Sequence, residues 1–158
     1  MNRRERLECS KYVWDKVRLI EYKSMAESAT FRNVKRQNIV SAADGVSFEV
    51  RYFECGKEGF TTLEKHRHTH IVFILRGSGK VIVDKNVYDA KPFDCFIISE
   101  WKPHQFINTS DNPFGFLCMV SCERDKYQLL SKEEVKDLRT NRQVDECVRI
   151  PNRYFSES

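Results

Sequence analysis

Long apolar stretches are missing from this sequence. No run approaches the roughly 20 residues that a membrane-spanning helix requires. The basic start, residues 2–6 (NRRER), has no apolar stretch behind it. Neither a membrane span nor a secretory signal is expected, and the expected location is the cytoplasm. The CxxC spacing of redox and zinc motifs is also missing, although six cysteines are present (Cys9, Cys55, Cys95, Cys118, Cys122 and Cys147). Their irregular spacing suits reduced thiols better than a disulfide framework. There is no internal repeat, no low-complexity segment and no helix-turn-helix pattern. The net charge is only +4, from 27 Lys and Arg against 23 Asp and Glu, with the signs interleaved. Without a basic stripe, nucleic acid is not an expected partner.

What remains is a chain of 158 residues, 41% hydrophobic and 32% charged, enough for one domain with a core. Residues 47–55 (SFEVRYFEC) alternate and are rich in β-formers, which predicts a strand. Further strands are predicted over 61–64, 70–75, 80–83, 86–89, 95–98, 104–108 and 116–120. Turn residues punctuate them, among them 56–59 (GKEG), 77–79 (GSG) and 108–113 (NTSDNP);. Many short strands with such turns mean a sandwich or closed barrel. The lack of helical patterns between them excludes a parallel α/β fold. Ahead of the barrel, 12–14 (YVW) and 17–22 (VRLIEY) read as short strand or arm segments, and 23–30 as a polar connection. Behind it, Ser131 and Glu134 form a capping box, and Val135 and Leu138 give an apolar side, so a single helix is expected over a barrel end;. Residues 147–150 (CVRI) would add an edge strand, and the tail from Pro151 would be loose. The expected organisation is an N-terminal arm with strand segments at 1–44, a barrel at 45–122, and a C-terminal helix and tail at 123–158. Strands apolar on both faces, such as 71–75, point to a homodimer.

All four histidines, His66, His68, His70 and His104, fall within residues 64–70 (EKHRHTH) and 101–108 (WKPHQFIN). Alternation along a strand can turn Glu64, His66, His68 and His70 one way. Imidazoles beside a carboxylate are the ligand set of a mononuclear transition metal.

These two segments resemble the paired motifs of the cupin superfamily, small antiparallel jelly-roll barrels. The first cupin motif has two histidines, then a glutamate, then a glycine. Here the spacing reads Glu64-x-His66-x3-His70-x6-Gly77, with the carboxylate moved to the front. Pro92-Phe93-Asp94 stands where the second motif often has Pro-Gly-Asp, and Pro103-His104-x3-Asn108 matches its close. The resemblance covers about residues 48–120. It implies an all-β antiparallel jelly-roll barrel with one divalent metal held by Glu64, His66, His70 and His104. The alternative register takes His66 and His68 as the histidine pair; otherwise His68 lies beside the ligands or faces substrate. Three imidazoles and a carboxylate suit Mn, Fe, Ni, Co or Zn, with Mn or Fe favoured. An open position makes the metal a Lewis acid, or an activator of water or oxygen.

In 113–120 (PFGFLCMV), Phe114, Phe116, Cys118 and Val120 share a face. Turned inward, that face brings Cys118 to the metal cavity, where a nearby cation would lower its pKa and make it a nucleophile or proton donor. This stretch and the following Glu123-Arg124-Asp125 are similar to the cupin subgroup that includes the methylthioxylulose-phosphate methylsulfurylases. The similarity implies a metal-bound ketose phosphate and a cysteine that helps to remove the methylthio group. Arg51, Arg67, Lys80, Arg76 and Arg124 are the phosphate candidates, Arg51 foremost because its strand is expected to reach the barrel mouth;. The expected function is metal-dependent chemistry on a small polar carbonyl or sugar phosphate. A metal- or ligand-binding module without chemistry and a dioxygen-using enzyme are the alternatives.

Overall fold

The computed structural model describes residues 2–8, 11–22 and 30–155. The expectations for Cys9 and for the connection at 23–29 lie outside the described residues. Strands β1 (Leu7–Glu8) and β2 (Val13–Trp14) pair as a small ribbon. The other eleven form one curled antiparallel sheet. They are β3 (Leu19–Tyr22), β4 (Arg32–Val40), β5 (Phe48–Phe60), β6 (Glu64–Lys65), β7 (His70–Arg76), β8 (Gly79–Val83), β9 (Asn86–Ala90), β10 (Cys95–Ile98), β11 (His104–Asn108), β12 (Phe114–Ser121) and β13 (Gln128–Leu129). One layer runs β10-β7-β12-β5-β4-β3 and the other β9-β8-β11-β6-β13. They join where Phe60 at the end of β5 pairs with Ile107 of β11.

The core between the layers holds Val72, Ile74, Val81, Phe106, Phe114, Phe116 and Cys118. Every residue of β11 is buried because its two faces meet different partners. Phe106 belongs to the core between the layers and Ile107 to a second cluster beneath the C-terminal helices. Gln105 serves that second side: its amide donates to the carbonyls of Thr61 and Arg149 and accepts from Arg149 N. The motif asparagine, Asn108, donates to the carbonyls of Gly56 and Asn112 and accepts from Ser110 N, closing the 108–113 turn. Gly77 has φ of 66°, and a Cβ there would lie 2.1 Å from Pro113 O. Only glycine fits that crossing.

Several expectations are corrected. Residues 56–59 are not a hairpin turn; they bulge within β5, whose pairing with β4 jumps from Cys55 opposite Val34 to Phe60 opposite Arg32;. The strand expected over 61–64 starts only at Glu64. Strand β4 was not foreseen, because its buried Val34 and Ile39 sit among charges and a register shift breaks the alternation. The C-terminus carries two helices, α1 (Lys132–Leu138) and α2 (Arg142–Cys147). The capping box at Ser131 and Glu134 is formed as expected. Cys147 ends α2 instead of opening an edge strand; Asn141 caps that helix and fully buried Val144 anchors it. The tail is not loose at Tyr154, which is 1% exposed. Its hydroxyl donates to Leu63 O at 2.5 Å and accepts from Leu130 N at 2.9 Å. Among the described residues no helix is long and apolar enough to cross a membrane.

Candidate metal centre

Three strand junctions assemble the site. Glu64 on β6 and His104 on β11 are directly opposite in the antiparallel register, so their side chains emerge on one face. The chain then leaves β6, bends through residues 66–69 and re-enters the sheet at His70. Asp125 holds this bend: Oδ2 accepts from Arg67 N at 2.8 Å and Oδ1 from His68 N at 3.0 Å. On β12, Cys118 is opposite Val72 on one side and Arg51 on the other, which sets it diagonally beside His70.

Among the described residues His66, His70 and His104 form a buried group that can hold a metal ion, with ligand atoms all within 4.8 Å of one another. Backbone carbonyls fix two of the tautomers. His66 Nδ1 lies 2.7 Å from His68 O and His104 Nδ1 lies 2.9 Å from Lys102 O. A carbonyl only accepts, so both Nδ1 atoms carry hydrogen and both Nε2 atoms keep lone pairs. His66 Nε2 is buried without a hydrogen-bond partner, an arrangement that costs free energy unless something electropositive meets it. Burial holds all three imidazoles neutral: His66 and His104 are pulled down to about 4, and His70 is pulled down still further, with neighbouring His104 and His66 adding to the effect. Glu64 Oε1 lies 4.0 Å from His104 Nε2. Burial pushes the Glu64 carboxyl up to about 7 against the opposing Arg51 charge. Desolvated lone pairs and a carboxyl whose ionisation burial opposes share one remedy, a cation among them, so the donor set fits a divalent transition metal;.

His68 sits at the rim. Its ring stacks on that of His66 with centroids 3.6 Å apart, Nδ1 lies 2.8 Å from Asp125 Oδ1 and Nε2 lies 3.1 Å from His70 Nε2. Cys118 is buried, with Sγ 3.6 Å from His70 Nδ1 and 3.3 Å from Arg51 Nη2. In the chain alone, burial lifts the Cys118 thiol above its ordinary pKa while Arg51 pulls the other way. That is opposite to the lowering expected beside a metal.

These groups face a two-part cavity. An inner part of about 220 Å³ is bounded by Cys118, Glu64, His70 and His104 together with Phe53, Phe106 and Phe116. A wider mouth of about 860 Å³ adds His66, His68, Arg124, Asp125 and Lys126. Of the phosphate candidates, Arg51 lines both parts. Arg124 borders the mouth but pairs with Glu49 at 2.9 Å. Arg67 is exposed. Arg76 pairs with Glu54 and stacks over Tyr12, and Lys80 pairs with Asp89; neither lines the cavity. Arg36 lines both parts and was missed together with its strand. Asp125 was missed as a clamp because a carboxylate in a loop carries no spacing signal.

A curled antiparallel sheet with inward histidines from two neighbouring segments, over a cavity, defines a β-barrel protein with a candidate metal site. The chain belongs to the cupin family: residues 52–120 match the Cupin domain. It is 43% identical over 132 residues, 84% of this chain and 83% of the relative, to the 1-methylthio-D-xylulose 5-phosphate methylsulfurylase of Rhodospirillum rubrum. The crystal structure of a cupin-2 domain from the same organism superposes with a TM-score of 0.81 at 42% identity, covering 85% of this chain and 89% of that one. A cupin 2 conserved barrel domain protein from Rhodopseudomonas palustris gives 0.81 at 35% identity, covering 86% and 92%.

Proposed function

We propose that this protein is a metal-dependent enzyme that removes the methylthio group from a phosphorylated ketose, with Cys118 as the nucleophile. The observation that carries the reading is the position of Cys118 Sγ, 3.6 Å from a histidine of the metal group and inside the cavity. The relative from Rhodospirillum rubrum, named as a methylsulfurylase of 1-methylthio-D-xylulose 5-phosphate, supports the substrate class. In this reading Glu64, His66, His70 and His104 hold the metal and His68 stands beside them, its Nδ1 committed to Asp125. When bound, the metal supplies Lewis acidity to the substrate carbonyl oxygen.

The chain's own residues then account for the sulfur chemistry. Were His70 to hold the metal through Nε2, its Nδ1 would carry hydrogen and offer it to Cys118 Sγ at 3.6 Å, as Arg51 Nη2 does from 3.3 Å. Both contacts favour thiolate. Sγ attacks the substrate sulfur; a sulfur–sulfur bond forms and the bond from that sulfur to carbon 1 breaks. The released electron pair passes to carbon 1 and is shared with the adjacent carbonyl oxygen. Carbon 1 takes up the proton the thiol gave up, leaving a methyl ketone. A second thiol from solution attacks the Cys118 mixed disulfide, carries off the methylthio group as a new disulfide and restores Cys118. Overall the carbon is reduced and the thiol pair oxidised. Phe53, Phe106 and Phe116 keep water from the reacting sulfur. Free cysteines are consistent with a reducing, cytoplasmic location;. The outer face with exposed Ile71, Phe73 and Ile97 is the surface of a homodimer.

The test is incubation of the metal-loaded protein with 1-methylthio-xylulose 5-phosphate and a small thiol. The reading expects metal-dependent formation of the deoxy ketose phosphate together with the methylthio disulfide. Failure to consume the substrate with any of Mn, Fe, Ni, Co or Zn would overturn it.

A further inference from the structure

The two parts of the cavity differ in chemistry. The inner part is bounded on its apolar side by Val34, Phe53, Val72, Phe106 and Phe116. Two aromatic contacts make a stiff floor: Phe106 and Phe116 stack with centroids 4.4 Å apart, and Phe53 and Phe116 at 5.7 Å. Arg36, Arg51, Glu64 and His70 line both parts, and the mouth adds Arg124 and Lys126 with Glu49 and Asp125. Two of those acids are engaged, Glu49 by Arg124 and Asp125 by the 66–69 bend. Cys118 belongs to the inner part, whereas Glu64 and His70 border both. The reacting sulfur therefore meets the substrate between the apolar side of the inner chamber, which the mouth does not share, and a wider vestibule that adds Arg124 and Lys126.

We infer that the inner chamber is a subsite for the substituent on the substrate sulfur, and that the substrate class extends from the methylthio compound to 1-alkylthio ketose phosphates with groups longer than methyl. This rests on the proposed function. An anionic phosphate would be desolvated against phenylalanines if it entered first, so the phosphate stays in the vestibule and the alkylthio end points inward. A methylthio group adds two heavy atoms. At roughly 30 Å³ per water in the liquid, such a group fills well under half of the chamber of about 220 Å³. Part of that volume lies beside Glu64, His70 and His104, and room remains on its phenylalanine side. Further methylenes enter that space and lose contact with water.

The experiment compares kcat/KM of the metal-loaded protein on xylulose 5-phosphates carrying methylthio, ethylthio and n-propylthio groups at carbon 1. The value should rise about fourfold for each methylene moved out of water. Val72→Phe, which fills the chamber from β7, should reverse that order and lower the propylthio value at least tenfold more than the methylthio value. The wild-type series decides the matter if this variant does not fold. Turnover of the methylthio compound with a tenfold or larger fall at ethylthio would overturn the subsite and leave the proposed function standing. Turnover of none of the three would overturn both.

Discussion

Cys118 Sγ and His70 Nδ1 lie 3.6 Å apart, joining β12 to the first residue of β7. This contact places a thiol and a candidate metal ligand on one side of the cavity, and the Cys118→Ser variant tests its purpose. Metal content and melting temperature should stay at wild-type values, while turnover falls by about 10³-fold or more, as for loss of a nucleophile. Cys95→Ser and Cys122→Ser serve as controls and should keep turnover. Cys55 is no neutral control. It is fully buried in the core, and a hydroxyl there would lack a partner.

The site should also leave a signature in stability against pH. His66 and His104 sit near 4 in the folded chain against about 6.5 when unfolded;. Their contribution is present above pH 6.5 and lost as pH falls toward 4. Glu64, raised to about 7 from an ordinary 4.5, works oppositely; its contribution is present below 4.5 and lost as pH rises through 7. Metal requires the imidazoles neutral and the carboxyl ionised. The gain in melting temperature on loading metal should therefore be small at pH 5 and grow toward pH 8. Scanning calorimetry with and without chelator measures it, and a gain independent of pH would contradict these ligands.

How much of this could be read beforehand divides along physical lines. Strands from β7 to β12 announce themselves because each is short, rich in β-formers and bounded by turn residues, and Gly77 and Asn108 sit where the barrel needs a crossing and a closed turn. All four histidines are within one cluster of rings, as their sequence clustering suggested. Strand β4 was invisible because it is long, charged and shifted in register. With it went Arg36. The burial of Tyr154 was equally hidden, since it depends on Leu63, which is 91 residues away.

That distant contact carries its own prediction. Tyr154→Phe leaves Leu63 O and Leu130 N without their buried partner, and should cost about 1–3 kcal/mol by denaturant unfolding. Burial pushes the Tyr154 hydroxyl up to about 12, so it stays protonated through the working range. An unchanged midpoint would show that the C-terminal tail does not hold the barrel end.

The exposed apolar face bears on assembly. Ile71 and Phe73 on β7 are each 39% exposed and Ile97 on β10 is 69% exposed. With a second copy over that face, light scattering should report a dimer, and Ile97→Lys should give a monomer that still binds metal. A wild-type monomer would remove the dimer from the account without touching the site.

The central claim is that Cys118 takes the methylthio group from a metal-bound ketose phosphate. Its most direct test is the intact mass of the metal-loaded protein after reaction with 1-methylthio-xylulose 5-phosphate in the absence of any second thiol. The account predicts a gain of one methylthio group less one hydrogen, mapped by peptide analysis to Cys118 and removed by added thiol. Consumption of the substrate with Cys118 unmodified would contradict it.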